Sequence, residues 1–272
     1  MPGPDTISPQ QLSRLIGTAD APVIIDVRMD DDFDADPRLI PTAERRDYSR
    51  VADWAAAYDG CSVVVACQKG LKLSQGVAAW LRQSGIRAEI LDGGHLAWTE
   101  AGGMVVKNAA FPPRDPRGRT IWVTRARPKI DRIACPWLIR RFLDPQSRIL
   151  FVDPDEIVNV ARESGGVPFD VKDVELSHDG ERCSFDTMLK LFGLESEPSL
   201  ARLAVIVRGA DTARPNLAPE AAGLHAVSLG LSALAGDDDH GLLQRGFLVY
   251  DALFAWLRFA AEERHNWPAR AA

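Results

Sequence analysis

Short apolar runs alternate with helix-like segments over the first hundred residues. Residues 23–27, 62–66 and 88–91 are apolar runs of the kind found in parallel strands that are buried on both faces. Between the second and third runs, apolar positions recur at helical spacing and predict a helix over about 73–83. Strands that alternate with helices of this length indicate an α/β fold, a doubly wound parallel sheet with helices on both faces.

A proline-rich segment follows this region. Its first six residues include three prolines, which propagate neither a helix nor a central strand. We therefore predict a first domain over residues 1–110, a linker over 111–119 and a second domain over 120–272.

The second domain combines strand-like and helix-like patterns. Residues 120–123 and 149–152 predict strands, and residues 136–142 predict a helix. The apolar run at 202–207 fits either a strand or a helix. From about residue 239 to 264, apolar positions form one stripe of a long amphipathic helix. We predict an α/β or α+β domain that ends in this helix.

The composition is that of an ordinary globular protein, with 46% apolar and 26% charged residues in a chain of 272. No run of 18 apolar residues occurs, and the N-terminus lacks the basic start and apolar region of a signal peptide. The four cysteines are too few and too scattered for a disulfide framework. These features predict a cytoplasmic protein with free thiols and no membrane partner.

The charge is unevenly distributed. The net charge is −6, yet residues 111–148 carry 10 basic against 3 acidic side chains. Such a basic band attracts either an external anion or the protein's own acidic surface, and the sequence leaves both open. No winged-helix or zinc-finger pattern accompanies it, and the acidic remainder repels phosphates, so we expect no nucleic-acid partner.

The most informative segment runs from a predicted strand into a predicted helix, at residues 67–74. A thiol in this position, that of Cys67, faces unpaired backbone N–H groups at the helix start. Together with Lys69 and Lys72, these groups favour the thiolate, and they could hold an oxyanion or the outer sulfur of a persulfide. Gly70 permits the tight backbone ring that this requires. The alternative is a structural cysteine.

Two further motifs flank this loop, an Asp-Val-Arg triplet at 26–28 and a Gly-Gly-His-Leu-Ala-Trp-Thr-Glu-Ala-Gly segment at 93–102. Together the three motifs resemble the rhodanese (sulfurtransferase) family over about residues 5–107. The resemblance implies that Cys67 accepts a sulfane sulfur from a small donor such as thiosulfate and passes it to a thiol, a protein or cyanide, without a cofactor. Arg28 is a further candidate for donor binding, the alternative being a buried ion pair with Asp26. The loop residues assigned to donor binding are Gln68, Lys69, Gly70, Leu71, Lys72 and Leu73.

The length of the loop separates this interpretation from a phosphatase. Related phosphatases have an arginine six positions after the cysteine, where this chain has Leu73. Here the cation is Lys72, five positions after Cys67, a spacing similar to that of the shorter sulfur-handling loop. Lysine replaces the more usual arginine and loses its bidentate recognition of an oxyanion, which weakens the expected preference for thiosulfate.

Beyond the linker, residues 129–142, 183–186, 207–212 and 250–256 resemble the C-terminal domain of ChrB-type chromate-resistance proteins. This resemblance covers about residues 120–260. It implies a link to chromate resistance, with chromate, a tetrahedral dianion, as a candidate ligand. Members of that family act in part as regulators through an N-terminal DNA-binding domain. A rhodanese-like domain stands there in this chain, so the regulatory role does not carry over.

The second domain also contains residue types that bind metals. Glu175, His178 and Asp211 are candidate ligands of a divalent metal, and Glu-x-x-His places its two side chains on one side of a helix where the segment is helical. Gly180 favours a turn instead, and the spacing matches no standard structural zinc site. The alternative is a hydrogen-bonded His178 in a polar cleft.

Two classes of function remain open. The first is a rhodanese-type sulfurtransferase that carries sulfur as a Cys67 persulfide and is linked to chromate or oxyanion resistance. The second is a non-catalytic sensor or detoxification protein that binds an oxyanion or a metal without turnover.

Overall fold

A five-stranded parallel sheet organises the N-terminal region, in a computed structural model that describes residues 5–263. Its strand order is β1-β6-β5-β2-β4, and each neighbouring pair is parallel. A separate antiparallel pair joins β3 to β7. Strand β5 therefore lies at the centre of the main sheet. The strands are β1 (Thr6–Ile7), β2 (Val23–Asp26), β3 (Arg38–Leu39), β4 (Glu44–Arg45), β5 (Ser62–Ala66), β6 (Arg87–Leu91) and β7 (Val106–Lys107).

Helices cover both faces of this sheet. Successive residues of β5 point to opposite faces, so Val63 and Val65 belong to one buried cluster while Val64 and Ala66 belong to another. The first cluster includes apolar residues of α4, and the second includes residues of α1 and α5. The predicted doubly wound fold is confirmed. The helices are α1 (Pro9–Leu15), α2 (Asp30–Ala35), α3 (Val51–Trp54), α4 (Lys72–Gln83) and α5 (Gly94–Glu100).

The C-terminal region combines a small parallel sheet with a layer of helices. Its strands are β8 (Ile121–Arg125), β9 (Arg148–Val152) and β10 (Val167–Pro168), in the order β10-β8-β9. Its helices are α6 (Asp131–Leu138), α7 (Ile157–Ser164), α8 (Ser184–Phe192), α9 (Pro198–Asp211), α10 (Ala221–Ala235) and α11 (Asp239–Ala255). Within residues 5–263, none of these helices combines the length and the apolar character that crossing a membrane requires.

Three predicted elements differ in detail from the structure. The run at 202–207 lies inside α9, where buried positions recur at helical rather than alternating spacing. The helix predicted over 136–142 begins earlier, at Asp131, and continues beyond its interior Pro136 as a π-helical turn over Ile139–Leu143. The C-terminal helix continues as a π-helical turn that ends at Ala260, and residues 264–272 lie outside the described part.

The two regions share one hydrophobic core. The largest buried cluster contains Leu12 and Trp98 from the first region and Trp122 and Phe254 from the second. Hydrogen bonds reinforce this contact, since the guanidinium of Arg258 donates to backbone carbonyls of α1 and its C-terminal end at 2.7 and 3.0 Å. The two regions therefore pack as one body, and the linker and its boundaries stay a prediction.

Gly17 is a sensitive point of this shared core. Its φ is +80°, and a Cβ there would overlap the ring of Phe142 and lie 2.8 Å from Cε1 of Phe254. We expect Gly17→Ala to lower the free energy of unfolding by about 2–5 kcal/mol, because backbone strain adds to overpacking. Gly60→Ala is the matched control, since its φ is +74° with no atom within 4 Å of the added Cβ. Urea unfolding of both variants measures the difference, and equal losses would contradict a shared core at Gly17.

Candidate functional site

The thiol of Cys67 lies directly after the central strand β5, at the base of a loop that leads into α4. Cys67 is only 4% exposed. Burial raises the pKa of its thiol, but the Ser74 hydroxyl and the backbone N–H groups of Ser74, Lys69 and Leu71 outweigh burial, so the pKa is lowered from its ordinary value. The Ser74 Oγ atom is buried and has no hydrogen-bond partner among the described residues, so its hydroxyl is available to a thiolate of Cys67.

The start of α5 holds this loop in place. The backbone N–H of His95 donates to the carbonyl oxygen of Cys67 at 2.9 Å, and that of Leu96 donates to the carbonyl oxygen of Gln68 at 3.1 Å. A Cβ at Gly94 would overlap the Cys67 carbonyl oxygen and the Gly70 nitrogen. The Gly-Gly start of the third motif therefore has a steric cause, because no side chain fits between the two segments.

The predicted donor-binding residues form the rim of the loop. Lys69, Leu71 and Lys72 are exposed, whereas Gly70, Gln68 and Leu73 are partly buried. The Gln68 Oε1 atom is buried and has no hydrogen-bond partner among the described residues. The main stabilising group that sequence reasoning missed is Ser74, which follows Cys67 by seven positions and lies in the first turn of α4.

Arg28 does not lie on this rim, and its predicted role in donor binding stays untested. Its side chain is fully buried and forms an ion pair with Asp26, with a shortest distance of 2.6 Å. The same guanidinium donates to the carbonyl oxygens of Asp36 and Arg38 at 2.9 and 2.7 Å. The ion-pair alternative is confirmed, and Arg28 stabilises the backbone that precedes β3.

The remaining thiols contrast with Cys67. Burial and nearby carboxylates raise the pKa of the Cys135 and Cys183 thiols above the ordinary value. Both side chains are fully buried. Cys61 is partly buried, and its Sγ lies 3.9 Å from the carbonyl oxygen of Asp59. Of the four cysteines, Cys67 is the one whose surroundings favour a nucleophilic thiolate.

A second polar cluster lies in the C-terminal region, where three carboxylates surround one imidazole. The Nε2 atom of His178 is 3.2 Å from Asp211 Oδ2, 3.6 Å from Asp170 Oδ1 and 3.7 Å from Asp131 Oδ2. Asp131 begins α6 and Asp211 ends α9, while the other two residues lie in the segment between β10 and α8. Ligand atoms of Asp131, Asp170 and His178 all lie within 4.8 Å of one another. We call these four residues the acid–histidine cluster.

The carboxylates of this cluster differ in the hydrogen bonds and ion pairs that they receive from neighbouring groups. Asp170 Oδ2 accepts a hydrogen bond from Arg125 at 3.1 Å and forms an ion pair with Nε of Arg132 at 3.2 Å, and Asp170 Oδ1 accepts from the Ser184 hydroxyl at 3.0 Å. Asp131 Oδ2 accepts from the backbone N–H of Ser184 at 2.6 Å. The other oxygen, Asp131 Oδ1, is buried and has no hydrogen-bond partner among residues 5–263.

The carboxylates of the cluster oppose one another's ionisation. Burial, followed by the charges of Asp211 and Asp170, raises the pKa of Asp131 well above its ordinary value. Burial and the charge of Asp170 also raise the pKa of Asp211. The cluster therefore concentrates negative charge where water is scarce, and a bound cation would relieve it.

The structure brings together two of the three predicted metal ligands, His178 and Asp211. Glu175 is exposed and lines a separate cavity with Pro112 and Trp122. The segment between β10 and α8 contains no helix, so the condition for a Glu-x-x-His pair on one helix side is not met, and the turn that Gly180 favours is the one present. Asp131 and Asp170 were not predicted as ligands, because their separation along the chain from His178 and Asp211 matches no recognisable metal-site spacing.

The basic band is largely paired with the protein's own carboxylates. Arg127 lies 3.1 Å from Asp237, and Arg141 lies 2.7 Å from Asp251. Arg125 and Arg132 meet Asp170, as described above. Of the two explanations for the band, attraction to the protein's own acidic surface is confirmed for these arginines.

The family model for ChrB, C-terminal domain, matches residues 122–257, half of the chain. The chain belongs to this family. Protein ChrB of Cupriavidus metallidurans is 36% identical over 152 residues, which cover 53% of this chain and 43% of that protein. The chain thus spans less than half the length of this curated relative. The acid–histidine cluster lies within the ChrB C-terminal domain.

The N-terminal part is similar to solved structures of rhodanese-related proteins. A rhodanese-related protein from Thermoplasma volcanium is 22% identical, with a TM-score of 0.33, and the match covers 37% of this chain and 96% of that one. A thiosulfate sulfurtransferase from Pseudomonas aeruginosa is 26% identical, with a TM-score of 0.32, and the match covers 37% of this chain and 19% of that one.

Removing the Ser74 hydroxyl tests why the pKa of the Cys67 thiol is lowered. We expect Ser74→Ala to raise the pKa of Cys67, because a donor to the thiolate is lost while the thiol form loses little. Alkylation of Cys67 at pH 7 then slows by about tenfold, and its pH profile moves to higher pH. Mass spectrometry of iodoacetamide-labelled peptides, with Cys61 as the internal control, measures this. An unchanged profile would mean that backbone donors alone stabilise the thiolate.

Proposed function

We propose that this chain is a rhodanese-type sulfurtransferase that carries a sulfane sulfur as a persulfide of Cys67. The observation that supports the proposal is a buried thiol between β5 and the start of α4, whose pKa the Ser74 hydroxyl and three backbone N–H groups lower against the effect of burial. Such a thiol is ionised at neutral pH to a greater extent than an ordinary cysteine, and the thiolate is the nucleophile.

The reaction proceeds in two displacements. The Cys67 thiolate attacks the outer sulfur of a donor such as thiosulfate, a sulfur–sulfur bond forms, and sulfite leaves with the electron pair of the bond that breaks. An acceptor thiolate or cyanide then attacks the outer sulfur of the persulfide and releases the Cys67 thiolate. No electrons are gained or lost overall, so the transfer needs no redox cofactor.

The loop can stabilise Cys67 in the two anionic forms that this reaction needs, the thiolate and the persulfide. Its N–H groups and the Ser74 hydroxyl stabilise the thiolate before transfer, and donors of the same ring can accept the negative charge on the outer persulfide sulfur afterwards. Because Cys67 is only 4% exposed, the donor must present a narrow end. The terminal sulfur of thiosulfate is such an end, and so is the sulfur of a low-molecular-weight or protein persulfide.

The relation to ChrB supports a role connected with chromate or oxyanion resistance. The matched domain carries its own polar cluster, and it packs on the rhodanese-like region through a common core. In this proposal the C-terminal domain adds a ligand specificity, with chromate as a candidate, and Cys67 performs the chemistry. The competing function is binding of an oxyanion or metal without turnover, and the acid–histidine cluster favours the metal version of it.

Replacement of the nucleophile separates the two functions. We expect Cys67→Ser to abolish transfer of sulfur from thiosulfate to cyanide, since a hydroxyl neither ionises at neutral pH nor forms a persulfide. Thiocyanate formation measures the activity, and circular dichroism measures folding. Cys61→Ser is the matched control and keeps its activity, because Cys61 lies before β5 and away from the loop. Activity of Cys67→Ser close to that of the unaltered protein would contradict the proposal.

Lys72 provides a second test, of how the anionic donor is recognised. It is the first residue of α4 and is exposed at the rim of the loop, where a cation would face the departing sulfite. We expect Lys72→Ala to slow the thiosulfate step by about 10- to 100-fold, the effect of losing one charged contact. Lys72→Arg should preserve or improve the rate. Lys190→Ala, an exposed lysine on α8, is the control.

A comparison of donors completes this test. A persulfide donor without a sulfonate group should be much less sensitive to Lys72→Ala than thiosulfate is. An unchanged rate with thiosulfate would show that Lys72 makes no contact with the donor.

A further inference from the structure

We propose that the acid–histidine cluster of Asp131, Asp170, Asp211 and His178 binds a divalent first-row transition-metal ion. This site lies in the C-terminal domain and is separate from the Cys67 loop. Its residues come from three places in the chain: the start of α6, the segment before α8 and the end of α9. The proposal replaces the sequence-based set of Glu175, His178 and Asp211, and does not depend on sulfur transfer.

The distances from the imidazole to the three carboxylates are close to those expected around a cation, and Asp131, Asp170 and His178 form the compact part of the cluster. With metal–ligand bonds of about 2.0–2.2 Å, neighbouring ligand atoms of an octahedral or tetrahedral site lie about 2.8–3.6 Å apart. The distances from His178 Nε2 to the three carboxylates are 3.2, 3.6 and 3.7 Å. These separations are longer than most direct hydrogen bonds and need only small adjustment to close around one ion.

Hydrogen bonding leaves the cluster incompletely satisfied without a ligand. A single ring nitrogen donates at most one hydrogen bond, yet Nε2 of His178 faces three carboxylates. Asp131 is 1% exposed, and its Oδ1 atom has no hydrogen-bond partner among the described residues. A buried carboxylate oxygen without a partner is costly, and a metal ion would supply the missing interaction.

The positive charges nearby do not neutralise the cluster. Both neighbouring guanidinium groups, of Arg125 and Arg132, are directed at the same atom, Asp170 Oδ2. Within residues 5–263, the ion pairs of Asp131 and Asp211 are with His178 alone. A divalent ion among these oxygens would offset the charges of two carboxylates that form no ion pair with an arginine in the described part of the chain.

Another residue holds two of the proposed ligands in place, and a cavity connects the cluster to solvent. Ser184 binds Asp131 through its backbone N–H and Asp170 through its hydroxyl, so it orients two ligands at once. Asp170 and His178 line a cavity of about 790 Å³ with Arg125 and Lys172, which gives an ion access. Carboxylates with one imidazole suit Mn²⁺, Fe²⁺ or Zn²⁺ better than Mg²⁺ or Ca²⁺.

Calorimetric titration of the chelator-treated full chain with Mn²⁺ and with Zn²⁺ tests the site. We expect one equivalent of at least one ion to bind with a dissociation constant of micromolar or tighter, and to raise the melting temperature. Asp131→Asn and His178→Ala should each weaken that binding by at least about tenfold, because each removes a ligand. Asp211→Asn gives a further variant in case Asp131→Asn, which changes a buried residue, does not fold.

Matched controls exclude binding elsewhere. Glu175→Gln should bind the ion as the unaltered chain does, because Glu175 lies outside the cluster, and so should Cys67→Ser. The proposal is overturned if neither ion binds, or if the folded His178→Ala and Asp211→Asn variants bind as tightly as the unaltered chain. Since these readouts are affinity and melting temperature, failure here would leave the proposed sulfurtransferase untouched, and loss of sulfurtransferase activity would leave this site untouched.

Discussion

A buried thiolate needs hydrogen-bond donors that are fixed before the reaction begins, and much of the N-terminal region is arranged around this requirement. The central strand ends at Ala66, so the thiol of Cys67 emerges where the carboxyl ends of the parallel strands meet the start of α4. The start of α5 then closes over the loop, which only glycine at position 94 permits. Backbone N–H groups in a loop held in this way keep their direction, and such fixed donors lower the cost of a charge on the sulfur.

In the acid–histidine cluster, as around Cys67, the neighbouring groups decide whether a buried anion is favoured, but here hydrogen-bond acceptors outnumber donors. Around Cys67 the donors are in excess, so the anion is favoured. Around Asp131 the acceptors are in excess, and the anion is disfavoured unless a cation joins it. The two proposed sites therefore call for different partners. The loop around Cys67 suits an anionic sulfur donor, and the acid–histidine cluster suits a cation.

Local sequence signals predicted the elements around Cys67 correctly because these elements are nearly contiguous along the chain. The strand, the loop and the helix that surround Cys67 follow one another along the chain, so their order alone placed the thiol at a helix start. Ser74 was missed because a serine in the first turn of a helix usually serves the backbone. Arg28 was assigned partly to the donor because the sequence does not show that Asp26 and two carbonyl oxygens already bind its guanidinium.

The second site was predicted only in part because its residues meet through tertiary packing. His178 and Asp211 are 33 positions apart, and Asp131 is a further 47 positions away from the histidine, so no local pattern joins them. Only the packing of α6, α8 and α9 brings them together, and the same packing buries Asp131 and directs both arginines at Asp170. A carboxylate that begins a helix is ordinarily a cap or a favourable charge for the helix dipole. Burial against two other carboxylates turns Asp131 into a candidate ligand, and burial is a property of the fold rather than of the segment.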